Sequence, residues 1–156
     1  MILYHGTNVE FDKVKLSESR IAKDFGIGFY LTPDRHMAER QAQRKVEQCQ
    51  GGTPVVQTYQ WQESSISELK VLQFDSFSVE WAKFVYQNRS NKTRIQAHDY
   101  DIVIGPIADD TVGVQVRRFK DGIITIEQLI EEIKWHKVTL QYLFATQESL
   151  KSLSRI

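Results

Sequence analysis

The chain holds one cysteine, Cys49, among its 156 residues. That excludes an internal disulfide and a zinc site built on thiolates, and it suits a reducing compartment. A charge surplus is missing too, since 20 Lys and Arg balance 20 Asp and Glu. The strongest sequence argument for nucleic-acid binding, a basic excess, is therefore absent, and only a local basic patch stays open. No run reaches the roughly 18 apolar residues that suggest a membrane span. The first residues lack the charged-then-apolar pattern of a signal peptide, so the expectation is a cytoplasmic chain with no membrane partner. Repeats, low-complexity stretches and linkers are also missing. The length fits one domain, residues 1–156, able to bury roughly 70% of the surface its unfolded chain exposes.

What is present is a series of short apolar runs with turn signals between them. Ile2-Leu3-Tyr4 is a β-favouring run that delivers His5, Gly6 and Thr7 to its end. Ser17 to Lys23 reads as an exposed loop leading to Asp24-Phe25-Gly26-Ile27-Gly28, and Phe29-Tyr30-Leu31 as a strand. Thr32 and Pro33 open a helix over about 34–48, as N-cap and first helical residue. Ala38, Ala42 and Val46 form its apolar face; Arg35, Arg40, Arg44 and Lys45 read as a solvated one. Val55–Trp61 alternates as a strand and 69–74 is another, followed by a helix over 77–88 capped by Asp75 or Ser76. Phe77, Trp81, Phe84 and Val85 make that helix's buried stripe, and 89–94 reads as a polar, mobile loop.

The most apolar strand, 100–106, is expected to be central and to end its pairing at Pro106. Asp109-Asp110 reads as a turn and 112–119 as a weakly alternating strand, its Arg117, Arg118 and Lys120 on a solvated edge or facing a phosphate. Thr125 and Gln128 form a capping box for a helix from Ile126 to about Trp135. Val138–Ala145 is the last strand, and Thr146 caps a short helix that turns Leu150 and Leu153 inward. Helices and strands do not alternate as a βαβ series does, so the fold class is α+β with mostly antiparallel strands. His98, Asp99 and Asp101 are a poor ligand set, and no metal is expected.

Three pieces then line up: His5 in Leu3-Tyr4-His5-Gly6-Thr7, Tyr30 in Gly28-Phe29-Tyr30-Leu31-Thr32, and Gln141 in Leu140-Gln141-Tyr142-Leu143-Phe144. Their order and strand placement resemble the ADP-ribosyltransferase superfamily in its diphtheria-toxin and poly(ADP-ribose) polymerase branch, whose signature is His, Tyr and Glu on separate strands. More closely, the chain is similar to a family of small bacterial proteins catalogued as a domain of unknown function. The resemblance implies a split β-sandwich of two small antiparallel sheets packed face to face, with flanking helices and a central cleft for bent NAD. It implies that His5 bonds the adenosine-side ribose, that the backbone of Gly6 holds the nicotinamide amide and that Tyr30 stacks on the nicotinamide ring. The expected catalytic set is Gln141, Tyr30 and His5. The expected cofactor-binding set is His5, Gly6, Thr7, Gly28, Tyr30 and Gln141.

The chemistry needs such residues. Breaking the nicotinamide–ribose bond leaves an oxocarbenium-like sugar; an aromatic face orients the cationic ring, and an acceptor near the ribose hydroxyls stabilises developing charge. Gln141 stands where better-known members carry Glu. A neutral hydrogen bond contributes about 0.5–1.5 kcal/mol and one to a charged group about 1.5–3, a gap worth roughly tenfold in rate. The glutamine therefore speaks against polymer formation but leaves transfer of a single ADP-ribose open. The expected function is an NAD-dependent mono-ADP-ribosyltransferase, an intracellular bacterial effector or the toxin of a toxin–antitoxin pair. Its expected partners are NAD, a protein or nucleic-acid acceptor and an antitoxin. A module that binds NAD or ADP-ribose without turnover, and an NAD glycohydrolase, are the alternatives.

Overall fold

The computed structural model describes residues 1–156, except the side chains of Ser65 and Ile66. The fold is α+β, with a three-stranded and a four-stranded sheet. In chain order the strands and helices are β1 (Ile2–Thr7), β2 (Phe29–Leu31), α1 (Arg35–Cys49), β3 (Val55–Trp61), β4 (Val71–Gln73) and α2 (Val79–Ser90). There follow β5 (Ile102–Pro106), α3 (Asp110–Lys120), α4 (Ile126–Ile133), β6 (Leu140–Phe144), α5 (Gln147–Leu150) and β7 (Leu153–Arg155). The sheets run β1-β3-β7 and β2-β6-β5-β4.

The period-2 pattern of the strands sorts their side chains between two cores. Leu3, Phe29, Leu31, Tyr59, Trp61, Ile102, Ile104, Tyr142 and Phe144 meet between the sheets. The intervening Val103 and Leu143 turn to the other face of the four-stranded sheet, where they pack with Trp81, Val85, Val112, Val116, Leu129 and Ile133 of α2, α3 and α4. Each such aliphatic contributes roughly 1.5–3 kcal/mol on burial. Trp81 is fully buried, and its indole N–H donates to the Pro106 carbonyl at 3.2 Å. β5 lies inside its sheet, as its apolar run predicts, and its last pair is Pro106 with Leu140.

Several boundaries and one element differ from the sequence reading. β4 and β5 pair in parallel across the α2 crossover, so the four-stranded sheet is mixed and contains a local β-α-β unit. Residues 110–120 are a helix. Val112, Val114 and Val116 alternate like a strand, but Val112, Val116 and Phe119 also mark one helical face, and the Asp109 carboxylate caps it by accepting from the Val112 N–H at 3.0 Å. Asp109-Asp110 is thus a helix start. Arg117, Arg118 and Lys120 occupy the last turn of α3, where basic groups suit the carbonyl end of the dipole.

Asp34, not Thr32, caps α1, and Ser78 caps α2. Thr32 instead donates its hydroxyl to the Leu140 carbonyl. The capping boxes at Thr125/Gln128 and at Thr146 form as read, but α4 stops at Ile133 and Leu153 begins an edge strand rather than ending a helix. Residues 89–94 are not a free loop: Arg89 and Ser90 belong to α2, and Arg94 donates to the carbonyls of Ser19 and Ser17 at 2.6 and 2.8 Å.

Candidate functional site

β1 and β2 are joined by one rung. Tyr4 and Thr32 exchange both backbone hydrogen bonds, at 2.8 and 3.0 Å, and no second bridge follows. The next rung of an antiparallel ladder would join Gly6 to Tyr30. In its place the His5 ring reaches across, and Nδ1 donates to the Tyr30 carbonyl at 2.7 Å. Strand alternation turns the N–H and C=O of Gly6 toward the same side as those of Tyr4, into the gap where the ladder stops.

That gap opens on a cavity of about 130 Å³ lined by His5, Gly6, Tyr30 and Gln141. β1, β2 and β6 therefore bring four of the six expected site residues together. A second chamber of about 460 Å³ adjoins it and is lined by the other two, Thr7 and Gly28, again with His5 and Tyr30. Lys23, Gln41 and Lys45 also line both chambers and stand at the waist between them. The larger chamber adds Lys13, Lys15 and Arg20 against a single acid, Glu18. A chain with no net charge thus gathers five cations on one concave wall.

Burial sets the state of the central groups. The His5 pKa is lowered to about 3, first by burial and next by the Lys45 charge, against the bond to Tyr30. The ring is therefore neutral, with its proton on Nδ1, and Nε2 is an acceptor facing the Lys45 ammonium at 3.4 Å. Lys23 lies with Nζ 3.7 Å from the Tyr30 ring centroid, a cation–π contact. Its pKa falls to about 7 through burial and then the neighbouring Lys45, against Asp24. The Tyr30 hydroxyl donates to the Gly26 carbonyl at 2.7 Å and accepts from the Phe25 N–H at 3.1 Å, and burial pushes its pKa well up. Tyr30 offers a ring face here, not a titrating phenol.

Gly6 is also required by packing. A Cβ there would lie 2.0 Å from the Ala38 carbonyl oxygen, so β1 and α1 approach only because the side chain is missing. At Gly28 a Cβ would meet Leu143 at 2.3 Å, and the Gly28 N–H and C=O are both taken by the Ser19 hydroxyl. Thr7 is buried, and its hydroxyl accepts from the Val9 N–H at 3.5 Å. His98 is no metal ligand: Nε2 donates to the Phe25 carbonyl at 2.8 Å and Nδ1 accepts from the Tyr100 N–H at 3.1 Å. No cluster of three or more potential metal ligands occurs among the described residues.

The family model described as a protein of unknown function, DUF3990, matches residues 1–154. The chain belongs to the DUF3990 family. No curated protein and no solved structure matches it. Among the described residues no helix is long and apolar enough to cross a membrane.

Sequence reasoning missed three parts of this DUF3990 site. Lys45 reads in sequence as part of a solvated face, yet it is half-buried against His5. It lies seven residues beyond Ala38 and three beyond Ala42, so the helical period that marked those alanines also marked Lys45. Lys23 reads in sequence as the end of an exposed loop but covers the Tyr30 ring. Asp24 was passed over, although it touches Gln141: Gln141 Nε2 donates to Asp24 Oδ2 at 3.4 Å, and Arg89 Nε donates to Oδ1 at 2.6 Å.

Proposed function

We propose that this DUF3990 chain is an NAD-dependent mono-ADP-ribosyltransferase, a bacterial effector or the toxin of a toxin–antitoxin pair. The observation that carries the reading is the small chamber in which His5, Gly6, Tyr30 and Gln141 meet, opening onto a chamber rich in cations. A carboxamide is shaped to complete the missing rung, because it offers one C=O and one N–H to the C=O and N–H of Gly6. Tyr30 supplies an aromatic face for a cationic ring. Lys23 occupies that face now, so the ring would replace one cation by another at the same surface. The cations beside it suit a pyrophosphate.

In this reading the N-glycosidic bond breaks, nicotinamide leaves with the bonding pair, and the ribose carbon takes an electron pair from the acceptor. Gln141 accepts from a ribose hydroxyl through its carbonyl oxygen. The neutral Nε2 of His5 accepts from a hydroxyl on the adenosine side once Lys45 shifts. The acceptor loses its proton to solvent or to a base of its own, because neutral Gln141 is no base.

The test is nicotinamide release from NAD by the purified chain, alone and with cell lysate, beside His5→Ala and Gln141→Ala. Release that needs lysate and disappears in both variants supports the transferase. Release from the chain alone makes it a glycohydrolase. NAD that raises the melting temperature without any release makes it a binding module, the reading favoured by the uncharged Gln141.

A further inference from the structure

The carboxamide of Gln141 can sit in either of two orientations, with carbonyl or amino group toward the cavity, and nothing in the side chain itself selects one. The structure holds a selector. Asp24, from the loop ahead of β2, turns Oδ2 to Gln141 Nε2 at 3.4 Å, while Arg89 fixes Oδ1 at 2.6 Å. Both oxygens of the carboxylate are then engaged, and its side chain is only 15% exposed. Flipping Gln141 would set its carbonyl oxygen against a carboxylate oxygen, acceptor against acceptor. The amino group is therefore committed to Asp24, and Oε1, which takes no hydrogen bond among the described residues, is left for the cavity that Gln141 lines.

The loop that carries Asp24 is braced at every step. Phe25 and Gly26 clamp the Tyr30 hydroxyl. The Gln96 carboxamide accepts from the Ile27 N–H at 2.9 Å and donates to its C=O at 2.7 Å. His98 donates to the Phe25 carbonyl. A carboxylate held this way is a fixed reference point rather than a mobile surface charge.

We propose that Asp24 is a positioning residue, which locks the Gln141 carboxamide with its oxygen facing the ligand and keeps a negative charge one hydrogen bond behind it. The glutamine is then one half of an amide–carboxylate pair. A glutamate at 141 would put two carboxylates in contact, so the charge stands at 24 and the neutral acceptor at 141. This rests on the transferase reading for its catalytic consequence and on the pair alone for its geometry.

The experiment compares the parent chain with Asp24→Asn, Gln141→Glu and the double exchange, reading nicotinamide release at several pH values. Asp24→Asn is expected to lower kcat about tenfold with KM for NAD within about twofold. Gln141→Glu is expected to be impaired at neutral pH and to recover as pH falls and the two carboxylates share a proton. The double exchange keeps one amide and one carboxylate with their places swapped, and is expected to regain most of the lost rate. Full activity of Gln141→Glu at neutral pH, or equal impairment of Asp24→Asn and the double exchange, would overturn the proposal. In that case Asp24 serves only to hold Arg89. Should Asp24→Asn fail to fold, the pH profile of Gln141→Glu decides alone.

Absence of release by the parent chain sinks the transferase reading but not the pair, which the side-chain amide NMR signals of Gln141 then judge. These must shift between the parent chain and Asp24→Asn, or Asp24→Ser if the first variant is unfolded. Signals indifferent to Asp24 would end the proposal.

Discussion

The small chamber is walled by strand ends and by backbone that has lost its partner. The large one beside it is walled by the loop before β2 and the far end of α1, and its character comes from long cationic side chains. In the first, position is set by the sheet: Gly6 against α1, His5 against the Tyr30 carbonyl, Tyr30 pinned through its hydroxyl. In the second, charge is gathered without carboxylates to balance it, apart from Glu18. One half of the cleft is set by sheet and backbone, with Lys23 and Lys45 at its edge; the other adds Lys13, Lys15 and Arg20 to those two. A ligand with an amide-bearing ring at one end and phosphates further along matches that division.

The sharpest way to break the half set by backbone is Gly6→Ala. Its Cβ would collide with the Ala38 carbonyl at 2.0 Å and with the Ala42 nitrogen at 2.8 Å, both of them backbone. Overpacking of this kind costs about 1–3 kcal/mol or more, so the melting temperature should drop by roughly 5–10 °C in calorimetry. An unchanged melting temperature would mean that β1 and α1 are not held as described.

Acid should strike the same half next. The folded-state pKa of His5 is about 3, below its ordinary 6.5, so the folded chain binds fewer protons than the unfolded one in that window. Stability from this group is full above pH 6.5 and is lost as pH falls toward 3, by up to about 1.4 kcal/mol per pH unit. Burial lowers the His98 pKa as well, which adds to the loss with the same sign. Urea unfolding from pH 7 to 4 should show the decline, and His5→Gln should make it shallower.

At the waist, Lys23 has a folded pKa of about 7 against its ordinary 10.5. Its contribution is full above pH 10.5 and lost by pH 7, so stability should climb between those values, and Lys23→Met should flatten the climb and raise stability at pH 7. A steeper climb in the variant would refute the burial argument. In the large chamber the smallest effect is expected. Lys13→Ala with Arg20→Ala should weaken NAD binding by about three- to tenfold in calorimetric titration at low salt, with the difference shrinking at high salt. Equal loss at all salt concentrations would deny the large chamber an electrostatic role.

The same division explains what could be read in the sequence. His5, Gly6, Tyr30 and Gln141 sit on strands whose apolar runs are plain, and it was the resemblance to the ADP-ribosyltransferase superfamily that implied they meet. Lys23, Lys45 and Asp24 carry charge, and charge reads as solvent until a partner is known. Only Lys45 left a trace, through its helical phase with Ala38 and Ala42. Asp24 meets Gln141 across 117 positions, and no local pattern records such a pairing. The α3 error was of another kind: Val112, Val114 and Val116 alternate like a strand, Val112 and Val116 also keep helical spacing, and the Asp109 cap tips the balance toward a helix. β7 was missed because Leu153 to Arg155 is an edge strand of three residues, fixed by its pairing with β3 rather than by its own composition.

The single rung between β1 and β2 has a consequence for how the cleft can change over generations. Recognition through an interrupted ladder is written in main-chain atoms, which every residue carries alike. Most substitutions around it alter the walls but leave the N–H and C=O of Gly6 in place. Under the proposed function, such a site would drift in its choice of neighbours far more readily than in its taste for an amide. Its one fragile letter is the glycine itself, which helix α1 already guards for reasons of space.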